Sequence, residues 1–256
     1  MDSREAAVGP GDSERYARRV TTARPGLVVA LDGPASSGKS SVGAAAALRV
    51  GYRFCDTGLL YRAATWLALH RKVRTQDVEE LVALVGEIQL VPDANGRLAH
   101  VSVDGVDVTS DVHTPRVDEA VSAVSAVPEL RAALLSFQRS LAAEPGGIVM
   151  AGRDIGTVVL PDADLKLFLD ASVEERARRR AQERDVDPDS QEGRFILAQL
   201  RRRDELDASR AVAPLRAAPD AIHIVTDGNT FADTVEAVVA AIVVAAEIRP
   251  VPASSH

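Results

Sequence analysis

Eight consecutive residues, Gly33-Pro34-Ala35-Ser36-Ser37-Gly38-Lys39-Ser40, have the composition and spacing of a phosphate-binding loop. Glycines let the backbone wrap an anion so that successive N–H groups point inward, and a helix start adds its positive dipole end. Lys39 would reach the β- and γ-phosphates, and the Ser40 hydroxyl is of the kind that ligates Mg²⁺. A glycine-rich turn opening a helix would account for the glycines but not for the Lys-Ser pair. The flanks agree with the chemistry. Residues 27–31 are an apolar, β-branched run of buried-strand type, and residues 41–48 are Ala-rich and free of helix breakers. These residues together point to a nucleoside triphosphate as ligand.

Three other constellations carry charge or hydroxyls at places where a ligand could meet them. Asp56-Thr57-Gly58-Leu59-Leu60-Tyr61-Arg62 would put a hydroxyl, a phenol and a guanidinium at one helix start, which suits a planar anion. Its plain alternative is a capped helix with a buried Tyr and a surface Arg. Gly152-Arg153-Asp154-Ile155-Gly156-Thr157 follows the apolar run 147–151. Beyond the carboxyl end of a parallel strand, an Arg can fork onto phosphate while an Asp accepts from an exocyclic amine. A structural salt bridge is the alternative there. Eleven arginines fall between Arg176 and Arg216, in a chain that has only three lysines. A solvated helix face is the ordinary reading of such a run. However, the triplets Arg178–Arg180 and Arg201–Arg203 flank a loop-like stretch at 185–193, so two Arg-rich helices would form a lid over a triphosphate.

The elements that must position these residues alternate between short apolar runs and amphipathic segments. Strands are expected at 27–31, 53–55, 147–151, 165–169 and 222–226, and helices at 39–49, 58–71, 115–126, 128–143, 173–184, 192–207 and 231–246. Ser172 with Glu175 forms a capping box, and Thr114-Pro115 and Thr230 are further helix starts. Strands separated by helices imply an α/β fold with a five-stranded parallel sheet covered on both faces. Residues 88–108 break the rhythm. Alternating strands around Asn95-Gly96 and Asp104-Gly105 describe a small antiparallel insert whose strands pair with each other, so the sheet should not depend on it.

Composition bounds the class. The chain has 256 residues, 46% hydrophobic and 26% charged, enough for one core and an appendage. A net charge of −7 argues against a nucleic-acid polymer as partner. Cys55 is alone, so no intramolecular disulfide forms, and His70, His100, His113 and His223 are scattered rather than clustered for zinc. No apolar stretch approaches a membrane span, and residues 1–24, charged and without an apolar h-region, read as a disordered leader. Residues 249–256 read as a tail, leaving one domain over 25–248 in a cytoplasmic, monomeric enzyme.

Taken in order, these motifs together with Ser122–Arg131 and Arg203–Leu215 resemble the bacterial cytidylate kinases, members of the nucleoside monophosphate kinases with a P-loop NTPase core. The resemblance covers about residues 27–246 and includes the β insert at 88–108 and a short helical lid at about 178–203. It implies transfer of the ATP γ-phosphate to CMP or dCMP with Mg²⁺, in pyrimidine nucleotide metabolism. The residues Gly33, Pro34, Ala35, Ser36, Ser37, Gly38, Lys39, Ser40 and Ser41 would bind ATP. Ser122, Arg131 and Asp154 would read the cytosine edge, and Asp207 and Arg203 would hold the sugar hydroxyls. Arg62, Arg153 and Arg210 would clamp the acceptor phosphate, with Thr57 and Tyr61 nearby. Lys39, Arg153 and Arg210 would stabilise the transferring group, joined by Arg178 and Arg180 from the lid. One position departs from the pattern. The resemblance implies an acidic residue before Gly152, and Ala151 stands there, leaving Mg²⁺ to Ser40, phosphates and water with help from Asp56. A P-loop kinase for another acceptor, such as shikimate, and a nucleotide-gated switch without turnover are the competing readings; Ser122, Arg131 and Asp154 weigh against the first.

Overall fold

The computed structural model describes residues 26–210 and 212–248. The expected leader and tail lie outside the described residues.

The first strand, β1 (Val28–Asp32), is apolar until its last residue and runs into the phosphate-binding loop. That loop ends at Gly38, whose left-handed φ of 86° caps helix α1 (Lys39–Val50). Only glycine adopts that conformation without strain, which is why the helix begins there. Strand β2 (Arg53–Asp56) and helix α2 (Gly58–Arg71) follow. A short helix that the sequence reading omits, α3 (Val78–Ala83), leads into β3 (Ile88–Pro92), β4 (Arg97–Val103) and β5 (Val106–Asp107). Helices α4 (Pro115–Val124) and α5 (Pro128–Ala143) each open with proline in the first turn, where its missing N–H costs nothing. Strand β6 (Ile148–Gly152), a π-helical turn over Ile155–Val159 and β7 (Leu165–Asp170) complete the middle of the chain. Helices α6 (Val173–Glu183) and α7 (Gln191–Ala208), strand β8 (Ile222–Val225) and helix α8 (Phe231–Ile248) close it. Ser172 and Thr230 cap as expected, accepting from the backbone N–H of Glu175 and Asp233 at 3.2 Å. Thr114 makes no such side-chain bond.

The expected five strands run parallel in the order β2-β6-β1-β7-β8. Parallel pairing places the carboxyl ends of β1, β2 and β6 at one edge, so the residues that follow them meet. Three apolar clusters pack against the sheet, one of them, around Ala30, Cys55, Leu141, Ile148, Met150 and Ile155, beneath α5 and the π-helical turn. A second joins Leu31, Val42, Ala47, Phe54, Val149 and Val238 beneath α1 and α8. The third joins Leu60, Leu67, Leu81, Val101, Val112, Leu130 and Leu134 around α2 to α5.

The insert corrects one expectation. Strands β3, β4 and β5 do pair antiparallel with one another, but β4 also runs parallel to β2, with Phe54 opposite Arg97 and Cys55 opposite Leu98. It continues the main sheet to eight strands. Its Leu98, Val101, Val103 and Val108 are at most 9% exposed. Alternation within the insert marks which side chains are buried, but not against what: Val101, Val103 and Val108 join a cluster with α2, α3 and α5, and Leu98 one with β2, α5 and β6. Replacing residues 92–108 by a short turn should therefore abolish the cooperative thermal transition in scanning calorimetry. Truncating each such side chain costs about 2–5 kcal/mol, against a total stability of roughly 5–15 kcal/mol. A sharp transition retained within a few degrees of the parent would show that the sheet stands without the insert.

Candidate functional site

The strand ends open onto a cleft of about 1090 Å³. Nine Lys and Arg side chains line it against six Asp and Glu, in a chain whose overall charge is −7. The excess of positive charge marks it as a site for an anion.

One wall is the phosphate-binding loop. Lys39 is buried, and its Nζ donates to the Pro34 carbonyl at 3.0 Å, folded back over the loop. Burial, with Arg153 and Arg203 nearby, holds its ammonium well below the usual lysine range. The Ser37 hydroxyl is buried without a partner among the described residues. Arg176, reaching from α6, donates to the Ala35 carbonyl at 3.1 Å and pairs with Asp204 at 2.6 Å, fixing the lid helices to the loop.

The facing wall begins at the end of β2. Asp56 Oδ2 accepts from the Ser40 hydroxyl at 2.5 Å, and Oδ1 from the Gly58 N–H at 2.9 Å. Thr57 is buried, and its hydroxyl donates to the Ala151 carbonyl at 2.9 Å, tying the end of β2 to that of β6. Tyr61 lies beneath the Arg131 guanidinium, 5.2 Å from its ring centroid, and burial raises its phenol above the usual value. Arg131, 8% exposed, pairs with the buried Asp154 and donates to the Ser125 carbonyl at 3.1 Å. Ser122 lines the same cleft.

Asp207 is 1% exposed and is gripped from both sides, by Arg153 Nε at 3.0 Å and Arg210 Nη2 at 2.5 Å. Those charges hold its carboxyl below the usual range in spite of burial. Arg210 also donates to the Ser125 hydroxyl at 2.9 Å. Burial, with Arg153 beside it, lowers the Arg203 guanidinium to about 10, and the Nε atoms of Arg203 and Arg210 have no partner among the described residues.

Of the residues singled out from sequence, the cleft gathers Ala35, Ser36, Gly38, Lys39, Ser40, Ser41, Thr57, Tyr61, Arg62, Ser122, Arg131, Arg153, Asp154, Arg180, Arg203, Asp207 and Arg210. Gly33, Pro34 and Ser37 are not among its lining residues, and neither is Arg178. Arg178 is half-exposed and paired with Glu175 one turn back at 2.7 Å, while Arg180 two positions on faces the cleft. Consecutive helical positions differ by about 100°, so a triplet cannot place all three side chains on one face. The sequence reading missed Arg184, Arg202, Asp118 and Ser125, which line the cleft.

A family model described as cytidylate kinase matches residues 29–243. A cytidylate kinase from Nocardia farcinica is 44% identical over 210 residues, spanning 82% of this chain and 90% of that protein. One from Enterococcus faecalis is 45% identical over 214 residues, spanning 83% and 93%. A bifunctional pantoate ligase/cytidylate kinase from Synechocystis is 43% identical over 219 residues, 83% of this chain and 42% of its own length. The chain belongs to the cytidylate kinase family. It is a kinase, a phosphotransferase acting on a nucleoside monophosphate.

Cytidylate kinase chemistry is expected to use magnesium, and the residues present fit that ion. Among the described residues no three His, Cys, Asp or Glu side chains gather as a cage. Ser40 and Asp56 supply two oxygens at the loop, and Mg²⁺ is commonly held by one or two carboxylates with phosphate oxygens and water. Ala151 is paired in register with Asp56 across β2 and β6, so Asp56 stands one strand away from the position the acidic residue would have filled.

One cytidylate kinase residue escaped the sequence reading altogether. Asp32 terminates β1, and its two carboxylate oxygens accept from the Ile155 and Gly156 N–H groups at 2.8 Å each. It thereby holds the turn that presents Arg153 and Asp154. An acid ending an apolar strand immediately before the loop was the available signal. Burial first, with Asp154 adding to it, pushes the Asp32 carboxyl up to about 6 despite the two N–H bonds and Lys39. A carboxyl raised on folding stabilises most below its unfolded value, and that contribution is lost as pH rises through the folded value. The stability of the parent relative to Asp32→Asn should therefore fall between about pH 4 and 6 and level off above 7. Its steepest slope should be about 1.4 kcal/mol per pH unit. Urea unfolding across this range measures it, and a constant difference would mean that Asp32 titrates elsewhere.

Proposed function

We propose that this kinase transfers the γ-phosphoryl group of ATP to CMP or dCMP in a Mg²⁺-dependent reaction. The observation that carries the reading is a single cleft in which the phosphate-binding loop faces Ser122, Arg131 and Asp154 across a field of arginines. Cytosine offers an exocyclic amine that needs an acceptor and a ring nitrogen and carbonyl that need donors. A buried carboxylate beside a guanidinium and a hydroxyl supplies that pattern.

Transfer requires an acceptor-phosphate oxygen to form a bond to the γ-phosphorus while the bond from that phosphorus to the β,γ-bridging oxygen breaks, releasing ADP. The acceptor phosphate is already anionic, so no general base is needed and catalysis is positioning plus electrostatic stabilisation. Arg62, Arg153 and Arg210 fix the acceptor phosphate, and Arg180 adds charge from the lid. Lys39 leaves the Pro34 carbonyl for the transferring phosphate. Asp207 accepts from sugar hydroxyls through lone pairs that its two arginines leave free, with Arg203 beside it. Magnesium, held by Ser40, Asp56, phosphate oxygens and water, would neutralise charge on the β- and γ-phosphates. A coupled ADP-release assay across the nucleoside monophosphates tests the whole proposal; turnover highest with UMP or AMP would overturn it.

Lys39→Ala should lower the transfer rate by about 10²-fold or more while CMP still binds, because the lysine acts on charge developing in the transition state. Steady-state turnover with calorimetric CMP titration separates the two, and normal turnover would dismiss this role. Asp154→Asn should narrow the preference for CMP over UMP, since an amide can donate to the uracil carbonyl where a carboxylate only accepts. A hydrogen bond to a charged group is worth about 1.5–3 kcal/mol, or roughly 10- to 10²-fold in the ratio of kcat/KM. An unchanged ratio would mean that Asp154 does not read the base.

A further inference from the structure

Asp118 sits in the first turn of α4, on no motif that the proposed mechanism uses. Its carboxylate nevertheless draws arginines from three parts of the fold. Oδ1 accepts from Arg62 of α2 at 2.6 Å, and Oδ2 from Arg180 of α6 at 3.1 Å and Arg184 just beyond it at 3.2 Å. Arg203 of α7 stands 4.0 Å from Oδ1. The side chains of Asp118 and Arg62 are 18% and 15% exposed, so this pair is screened far less than a surface one. The surrounding arginines hold the Asp118 carboxyl below its usual range despite partial burial.

Arg62 does not need Asp118 to stay in place. Its other terminal nitrogen donates to the Val112 carbonyl at 2.9 Å, which fixes the guanidinium from the backbone. What Asp118 takes up is Nη2, the terminal nitrogen that the backbone leaves open. A carboxylate and a phosphate monoester offer guanidinium the same pair of negatively charged oxygens. A phosphate that takes the same Nη2 must displace the carboxylate.

We infer that Asp118 is an internal stand-in for substrate phosphate: it occupies Arg62 and Arg180 in the free enzyme and so sets the affinity for the phosphate group of the acceptor. This rests on the assignment of Arg62 to the acceptor phosphate. A ligand that must first break the Asp118 contacts binds with an apparent affinity reduced by the fraction of enzyme in which those arginines are free. A ligand without a phosphate carries no such reduction. Asp118 thus discriminates by what the incoming molecule must displace, and it tethers α4 to the lid helix α6 until displacement occurs.

The test compares CMP with cytidine, which has the base and sugar but no phosphate, by calorimetry on parent, Asp118→Asn, Asp118→Ala and Arg62→Ala proteins, with thermal unfolding as the check on folding. Asp118→Asn keeps the shape and removes the charge, and should tighten CMP binding about 3- to 10-fold while changing cytidine less than twofold. Asp118→Ala should act in the same direction and serves if the asparagine variant is poorly folded. Unchanged or weaker CMP binding in a folded variant overturns the inference, as does equal tightening of CMP and cytidine, which would signal a general structural effect. Arg62→Ala should weaken CMP and leave cytidine alone. If it weakens neither, the acceptor-phosphate assignment falls and the inference with it; if it weakens CMP while both Asp118 variants change nothing, only the inference falls.

Discussion

Mutual repulsion among buried guanidiniums is the constraint on which this site depends. Arg62, Arg131, Arg153, Arg180, Arg203 and Arg210 line one cleft together with Lys39. In a partly desolvated cleft such a group is costly unless each charge has an acceptor. Three carboxylates meet the need without filling the cleft: Asp154 holds Arg131, Asp207 holds Arg153 and Arg210, and Asp118 holds Arg62 and Arg180. The balance stays incomplete, as the lowered Arg203 and the unpartnered Nε atoms of Arg203 and Arg210 record.

The sheet makes this arrangement repeatable. Parallel strands deliver Gly33, Asp56 and Arg153 to one edge, and short polar links then lock the ends together. Asp32 fastens the turn after β6, Thr57 fastens β2 to β6, and Asp56 fastens β2 to the start of α1. Each link joins segments far apart in the chain, so the site's geometry rests on the frame rather than on the loops themselves. Gly152 belongs to the same set: a Cβ there would come within 2.8 Å of the Thr57 hydroxyl and closer still to Ile155. Its lack of a side chain is what lets these turns approach.

Helices α6 and α7 follow a different logic. They pack through a small apolar cluster of Ala177, Ala181, Ile196 and Leu200, which also includes Ala35 of the phosphate-binding loop. Polar contacts tie them to the rest of the fold: Arg176 to the loop, Arg179 to Thr226, Asp207 to Arg153, and Arg180 and Arg184 to Asp118. Ionic contacts can exchange one oxygen acceptor for another at little cost, whereas an apolar interface can only open.

By itself the sequence determined the parallel α/β frame, the side-chain caps at Ser172 and Thr230 and the cluster of charged motifs beyond the strand ends, because these follow from local periodicity, turn chemistry and the rule that such strands carry ligands at their carboxyl ends. Cytosine-reading and phosphate-clamping candidates came from the resemblance to the cytidylate kinases, carried by short contiguous motifs. Tertiary structure alone decided which members of the arginine triplets face the cleft, because that depends on how α6 is rotated against its neighbours. It alone joined the insert to β2, because strand alternation does not name a partner. It alone gave Asp32 and Asp118 their roles, because a solitary carboxylate takes its meaning from groups far along the chain that folding brings within hydrogen-bond distance.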